Sequence, residues 1–159
     1  TSSGVLPSFS KQKLPFDDPE GYPCSAPPWG ELMAINADTG DMVWRIPFGE
    51  YEELTKRGIP KTGTPNQGGS IATASGLLFI GATMDQKFRA FDAKTGKELW
   101  STSIPNDMIA TPLTYMGRNG VQYVAGAIGG AGSGSPFQHP PLEKPSTNVL
   151  MAFALPSVR

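Results

Sequence analysis

The sequence predicts an all-β chain built from repeated antiparallel units, and two observations lead to that prediction. The first is composition: 19 glycines and 16 prolines among 159 residues disfavour long helices, because Gly costs backbone entropy and Pro lacks an amide donor. Charged residues make up 17 %, against about 25 % in an average globular protein. The second observation is an internal repeat, which relates residues 34–44 to residues 90–100.

Both copies of the repeat follow the pattern Ala-x-(Asn/Asp)-Ala-x-Thr-Gly-x-x-x-Trp. An Asn or Asp can cap a tight turn with its side chain, and Gly supplies the residue with positive φ. We therefore expect a hairpin with one strand at 87–91 and the next at 97–102, and a matching hairpin in the first copy. Residues 152–155 form a third, decayed copy. The identical pairs are Ala34/Ala90, Ala37/Ala93, Thr39/Thr95, Gly40/Gly96 and Trp44/Trp100.

Two further strands are expected ahead of the second hairpin, at 70–75 and in the apolar run 76–82. Four short strands per repeated unit are typical of a β-propeller blade, and propellers close with about four to eight blades. The chain is therefore expected to be the C-terminal part of a larger propeller, with its open edges covered by the remaining blades or by self-association. The predicted divisions are an irregular Pro-rich lead-in at 1–28, a partial blade at 29–49, a loop with a short helix at 50–69, a full blade at 70–105 and a partial terminal blade at 110–159.

Composition also excludes several classes of function. A net charge of -1 argues against a nucleic-acid partner. A single cysteine, Cys24, and a single histidine, His139, rule out a disulfide framework, a Cys-rich zinc site and a His-based metal cluster within this sequence. No apolar run approaches the ~20 residues that a membrane span needs, and no signal peptide is visible. Trp44 and Trp100 are expected to lie in the core. Trp29 and a buried Cys24 are expected to serve packing.

The repeat resembles the tryptophan-docking motif of the dehydrogenases that depend on pyrroloquinoline quinone (PQQ), which are eight-bladed propellers. Further segments resemble the membrane-associated glucose dehydrogenase branch of that family, so about three blades, two of them incomplete, are expected here. The resemblance covers roughly residues 20–159. The segments that carry it are Ala26–Gly30, Thr64–Gly69, Gly76–Asp85, Ala110–Tyr115 and Ala152–Pro156.

The resemblance implies that the full protein oxidises a sugar or alcohol, with PQQ on the propeller axis as hydride acceptor and calcium as Lewis acid. It implies ubiquinone or a cytochrome as electron acceptor, and a periplasmic location with an inner-membrane anchor upstream. The family's proton-abstracting Asp and its calcium ligands lie in earlier blades and have no counterpart here. The segment is therefore expected to form part of the cofactor wall and to be inactive in isolation, with no catalytic residue and no metal ligand of its own.

The resemblance also supplies candidate cofactor-binding residues, namely Asn66, Asp85, Gly129, Gly130 and Ala131. Asn66 is either a loop cap or an amide that meets the quinone oxygens, and Asp85 is either an ordinary turn residue or a neighbour of the quinone. The glycines either belong to a flexible loop or bring backbone amides close to an anionic cofactor. Ala131 stands where the glucose dehydrogenase branch usually has His, which argues against glucose as the substrate.

An alternative is a non-catalytic propeller built from the same repeat and used as a scaffold or binding module. A scaffold needs the tryptophans and the turns of the repeat. A scaffold does not require the three segments that are expected near the propeller axis, namely residues 64–69, Asp85 and the Gly-rich stretch after Gly129. Because all three are present, the enzyme family is the favoured interpretation.

Overall fold

The computed structural model describes residues 16–129 and 148–154. In this part of the chain nine strands form three antiparallel sheets, in the orders β1-β2, β3-β4-β5-β6 and β7-β8-β9, and they confirm the all-β prediction. A five-residue helix, α1 at Glu52–Lys56, lies in the segment 50–69 where a loop with a short helix was expected. The strands are β1 Glu31–Ile35, β2 Met42–Pro47, β3 Ser70–Ala72, β4 Leu77–Ile80, β5 Lys87–Asp92, β6 Glu98–Ser103, β7 Leu113–Met116, β8 Gln122–Ile128 and β9 Val149–Ala154.

The two copies of the repeat have the same local geometry. Ala34 pairs with Trp44 across β1 and β2, and Ala90 pairs with Trp100 across β5 and β6, with a register shift directly after each alanine. At the second turn the Asp92 carboxylate accepts the Thr95 N–H at 2.9 Å. This bond and those from the Thr95 hydroxyl and the Lys94 N–H lower the pKa of Asp92. The predicted side-chain cap is therefore confirmed.

The middle sheet has a hydrophobic core on each face. Phe88 belongs to a cluster that also contains Val124 and Ile128 of β8, whereas Phe91 belongs to one that also contains Leu32 and Ile46 of the first sheet. Successive side chains of a strand point to opposite faces of the sheet, so β5 contributes side chains to both clusters. The three sheets thus pack face to face in chain order, as successive propeller blades do.

Trp44 connects the first sheet to the turn of the second. Its Nε1 donates to the Ala93 carbonyl at 3.0 Å, and its ring lies against Gly96. Trp100 instead makes edge contacts with Phe88 and Phe153 and is 40 % exposed, so the prediction that it lies in the core is wrong. The physical reason is that β6 is an edge strand of its sheet, with no further strand of the described residues beyond it to cover the ring.

The two remaining packing predictions have different outcomes. Trp29 contacts the rings of Tyr22 and Tyr51, as expected for a packing residue. Cys24 is exposed, so its assignment to the interior is wrong. It lies in the short segment between Tyr22 and Trp29, which carries the two aromatic rings inward and leaves the residues between them at the surface. The described residues contain no helix of the length and hydropathy that a membrane crossing requires.

The equivalent glycines of the two turns provide a matched stability test. Gly40 and Gly96 have φ of +78° and +70°, but an added Cβ meets nothing within 4 Å at Gly40 and lies 2.7 Å from Cε3 of Trp44 at Gly96. We expect Gly40→Ala to lower the free energy of unfolding by about 1 kcal/mol through backbone strain. Gly96→Ala should lower the free energy of unfolding by about 1–3 kcal/mol more than Gly40→Ala, because the added methyl group displaces the indole of Trp44. Equal shifts of the two urea-unfolding curves would contradict the docking of Trp44 on this turn.

Candidate functional site

The loops that precede β3 and β7 meet at one end of the middle and last sheets. Because β3 is antiparallel to β4, the start of β3 and the end of β4 lie at the same end of the sheet, where Ser70 pairs with Ile80. The pairing continues outward, since the Gln67 N–H donates to the Ala82 carbonyl at 2.9 Å and Asn66 bridges Thr83. Residues 66–67 are therefore held firmly beside the segment that follows β4.

The last sheet repeats this arrangement. The Gly129 N–H, directly after β8, donates to the Asp107 carbonyl at 2.9 Å, and Met108 forms a bridge with Gly129. The two loops also approach each other closely: a Cβ on Gly68 would lie 3.0 Å from the Ile109 carbonyl oxygen. They enclose a narrow, partly open cleft of about 10 Å³, which has room for about one water molecule. It is lined by Pro65, Asn66, Gln67, Ala82, Thr83, Met84, Asp107 and Ile109.

Asp85 lies beneath this cleft in a buried ion pair with Arg89. The two side chains are 4 % and 2 % exposed. Arg89 Nη2 donates to Asp85 Oδ2, and Nη1 donates to Asp85 Oδ1 at 3.0 Å and to the Thr83 hydroxyl at 2.8 Å. The Thr83 hydroxyl in turn donates to Asp85 Oδ1 at 2.6 Å, and the Glu50 N–H donates to Oδ2 at 3.0 Å.

Both oxygens of Asp85 are therefore engaged within the fold. They hold the β4–β5 connection in place and tie it to Glu50, which follows the first sheet. Of the two roles considered for Asp85 from the sequence, this geometry favours a structural one at the base of the cleft. Thr83, which Asp85 holds, itself lines the cleft.

Asn66 lies at the rim of the cleft and is exposed. Its Nδ2 makes a long bond of 3.4 Å to the Thr64 carbonyl. An amide with one weak internal bond has donor and acceptor capacity left for a ligand. The backbone of Asn66 is fixed by its bridge to Thr83, so the side chain is presented from a rigid position.

Asp107 is a site residue that the sequence analysis missed. It is 9 % exposed and lines the cleft, and its Oδ1 atom is buried without a hydrogen-bond partner in the described part of the chain. Burial, together with the charge of Asp85, raises the pKa of Asp107 to about 6. The available signal was its position in the loop before the first strand of its unit, since Asn66 also lies in the loop before such a strand.

Of the positions expected to contact the cofactor, Asn66 lines the cleft, Asp85 holds the lining residue Thr83, and Gly129 is bonded to the backbone of Asp107 but lines a separate pocket with Ile128 and Asn148. Gly130 and Ala131 lie outside the described residues, as does His139. Among residues 16–129 and 148–154, no group of three or more His, Cys, Asp or Glu side chains is arranged to hold a metal ion.

The raised pKa of Asp107 predicts a pH dependence of stability. Between pH values of about 4 and 6 the folded protein binds more protons at this group than the unfolded chain does, so its contribution to stability falls as the pH rises through this window. Asp107→Asn carries no ionisable group, so its stability relative to the wild type should increase from pH 4 to pH 7. Urea-unfolding midpoints of both proteins at the two pH values test this. A constant difference would contradict the assignment of this pKa.

Comparison with known proteins identifies the family of the chain. The model of the PQQ-dependent "Glucose/ethanol/alcohol dehydrogenase, beta-propeller domain" family matches residues 5–124. Quinoprotein glucose dehydrogenase A of Acinetobacter calcoaceticus is 38 % identical over 141 residues, which cover 84 % of this chain and 18 % of that protein. The glycerol dehydrogenase large subunit of Gluconobacter thailandicus is 40 % identical over 147 residues, which cover 89 % of this chain and 19 % of that protein.

A solved structure gives the same result. The quinohemoprotein alcohol dehydrogenase from Comamonas testosteroni superimposes with a TM-score of 0.51 at 29 % identity, over 67 % of this chain and 13 % of that one. The chain thus spans less than a fifth of the length of these relatives. The family match, the relatives and the packed blades agree: the chain belongs to the PQQ-dependent dehydrogenase family and forms a segment of its β-propeller domain.

Proposed function

We propose that this chain is the C-terminal part of a quinoprotein oxidoreductase that oxidises a sugar or alcohol, and that its cleft forms part of the wall of the PQQ site. The observation that carries the proposal is the cleft between two adjacent blades, whose rim presents the Asn66 amide, in a chain whose relatives are dehydrogenases. When bound, PQQ supplies a quinone that accepts the electrons of the oxidised substrate.

The residues of the cleft fit such a group in part. Asn66 and Gln67 line the rim with uncharged amides, which can donate to the oxygens of an anionic quinone without adding negative charge. The charge of Asp85 is neutralised by Arg89. Asp107 is the carboxyl group that does not fit an anionic partner, and we place it away from the quinone.

Each residue then has a distinct role in the proposal. The Asn66 amide orients the cofactor, and Gly129 with Gly130 and Ala131 forms the adjoining wall. Asp85 acts as a positioning residue, since it fixes Thr83 and the β4–β5 connection beside the cofactor. Trp44 and Trp100 act as docking residues between neighbouring blades, of which the bond from Trp44 to Ala93 is an example.

The remaining parts of the proposal concern the whole protein. We place the calcium ligands and the catalytic base in blades outside this segment, and the protein in the periplasm with an inner-membrane anchor upstream. Ubiquinone or a cytochrome takes the electrons. Within the segment, residues 29–159 belong to the propeller (29–49 a partial blade, 50–69 a loop, 70–105 a full blade and 110–159 a partial blade) and residues 1–28 are a lead-in.

The test is PQQ-dependent dye reduction by the full-length protein. Apoprotein reconstituted with PQQ and calcium should reduce an artificial electron acceptor in the presence of at least one member of a panel of sugars, polyols and alcohols, and should be inactive without PQQ. The isolated 159-residue chain should be inactive under the same conditions. Full-length protein that never reduces the dye would favour the scaffold alternative, and activity of the isolated chain would contradict its role as one part of the cofactor wall.

A further inference from the structure

Asp107 presents a buried acceptor that the fold leaves without a donor. Its Oδ1 atom accepts no hydrogen bond from residues 16–129 or 148–154. Its backbone is held on both sides, because its N–H donates to Asn106 Oδ1 at 2.8 Å and its carbonyl accepts the Gly129 N–H at 2.9 Å. A buried polar atom without a partner costs folding free energy, and such atoms recur at sites where a ligand completes the bonding.

The surroundings of Asp107 decide what kind of ligand fits. A metal ion needs several oxygen ligands, yet both oxygens of Asp85 are engaged by Arg89, Thr83 and the Glu50 N–H. No metal-binding group of three or more side chains occurs in the described ranges. PQQ is a polycarboxylate, which an ionised Asp107 would repel. A neutral hydroxyl group is the donor that remains, and the cleft has room for a group of about the size of one water molecule.

We propose that Asp107 contacts the substrate, and that its carboxyl group accepts a hydrogen bond from a hydroxyl group of a sugar or polyol other than the one being oxidised. This inference rests on the proposed function, since it takes the substrate to lie beside a cofactor bound at the rim of the cleft. A monohydric alcohol has no second hydroxyl group to offer. Asp107 therefore selects polyhydroxy substrates over simple alcohols.

The experiment measures substrate binding separately from turnover. Full-length protein loaded with PQQ and kept reduced is titrated calorimetrically with glycerol, D-glucose and 1-butanol. We expect the wild type to bind at least one of the two polyols, and Asp107→Ala to weaken that binding about tenfold to a hundredfold, the usual effect of losing a charged hydrogen bond. Asp107→Asn keeps an acceptor oxygen and should weaken polyol binding less than Asp107→Ala does. Binding of 1-butanol should be the same in all variants.

Asp38→Ala is the matched control, because Asp38 is an exposed aspartate in the turn of the first repeat. It should leave all affinities unchanged. A second titration, of PQQ into the apoproteins, should give the same Kd for Asp107→Ala and the wild type. Unchanged polyol affinity, an equal loss for 1-butanol, or a loss of PQQ affinity in Asp107→Ala would each overturn the inference alone. A wild-type protein that binds no PQQ would overturn the proposed function and this inference together.

Discussion

Replacing Asp85 with alanine is expected to lower the stability of the middle blade by about 3–5 kcal/mol. The substitution leaves the Arg89 guanidinium, which is 2 % exposed, without its principal partner inside the protein. Two further groups lose an acceptor, the Thr83 hydroxyl and the Glu50 N–H. Amide hydrogen exchange of β5 measures the free energy of opening directly. The Glu50 amide should lose protection together with β5.

A double variant separates the ion pair from simple loss of packing. Asp85→Ala combined with Arg89→Met removes both charges, so its loss of stability should be smaller than the sum of the two single losses. Additive losses would show that the two side chains act independently. A loss below about 1 kcal/mol in Asp85→Ala would contradict the buried pair and would favour a role at the quinone as the reason for an aspartate here.

Replacing Phe88 with alanine is expected to lower the free energy of unfolding by about 3–5 kcal/mol, the usual cost of truncating a buried phenylalanine. Phe88 is 0 % exposed. Its ring contacts Phe79 and Trp100 of its own sheet and Phe153 of the next one. The cavity would therefore open between two blades. Urea denaturation of the full-length protein, followed by tryptophan fluorescence, measures the change.

Phe16→Ala is the control, because Phe16 is 84 % exposed and its truncation should change the unfolding midpoint little. Phe88→Leu should recover a large part of the lost stability, since it refills much of the cavity. A similar small effect for Phe88→Ala and Phe16→Ala would contradict the face-to-face packing of the middle and last sheets.

The strands were predictable because their pattern is local. The repeat contains its own turn chemistry, so the capping residue Asp92 and the glycine Gly96 identify the hairpin without any knowledge of distant contacts. The surroundings of Trp100 were not predictable in the same way. They depend on Phe153 of the next sheet, which is far away in the sequence.

The site was only partly predictable for the same reason. Asn66 and Gly129 carry family patterns in the sequence, but the ion pair between Asp85 and Arg89 depends on the backbone that folds Thr83 and Glu50 around it. Asp107 follows no motif at all. Its place in the cleft depends on the bond from Gly129 and on the close approach of two loops from adjacent blades.

Equilibrium binding of PQQ to the full-length apoprotein tests most directly whether this cleft is part of a quinone site. We predict saturable binding by the wild type, an affinity about three- to tenfold lower for Asn66→Ala through the loss of one hydrogen bond, and no change for Asn36→Ala. Asn36 is the matched control, because it caps the turn of the first repeat, outside the cleft. Absence of saturable binding by the wild type, or equal affinities for all three proteins, would contradict the assignment of this cleft to the quinone.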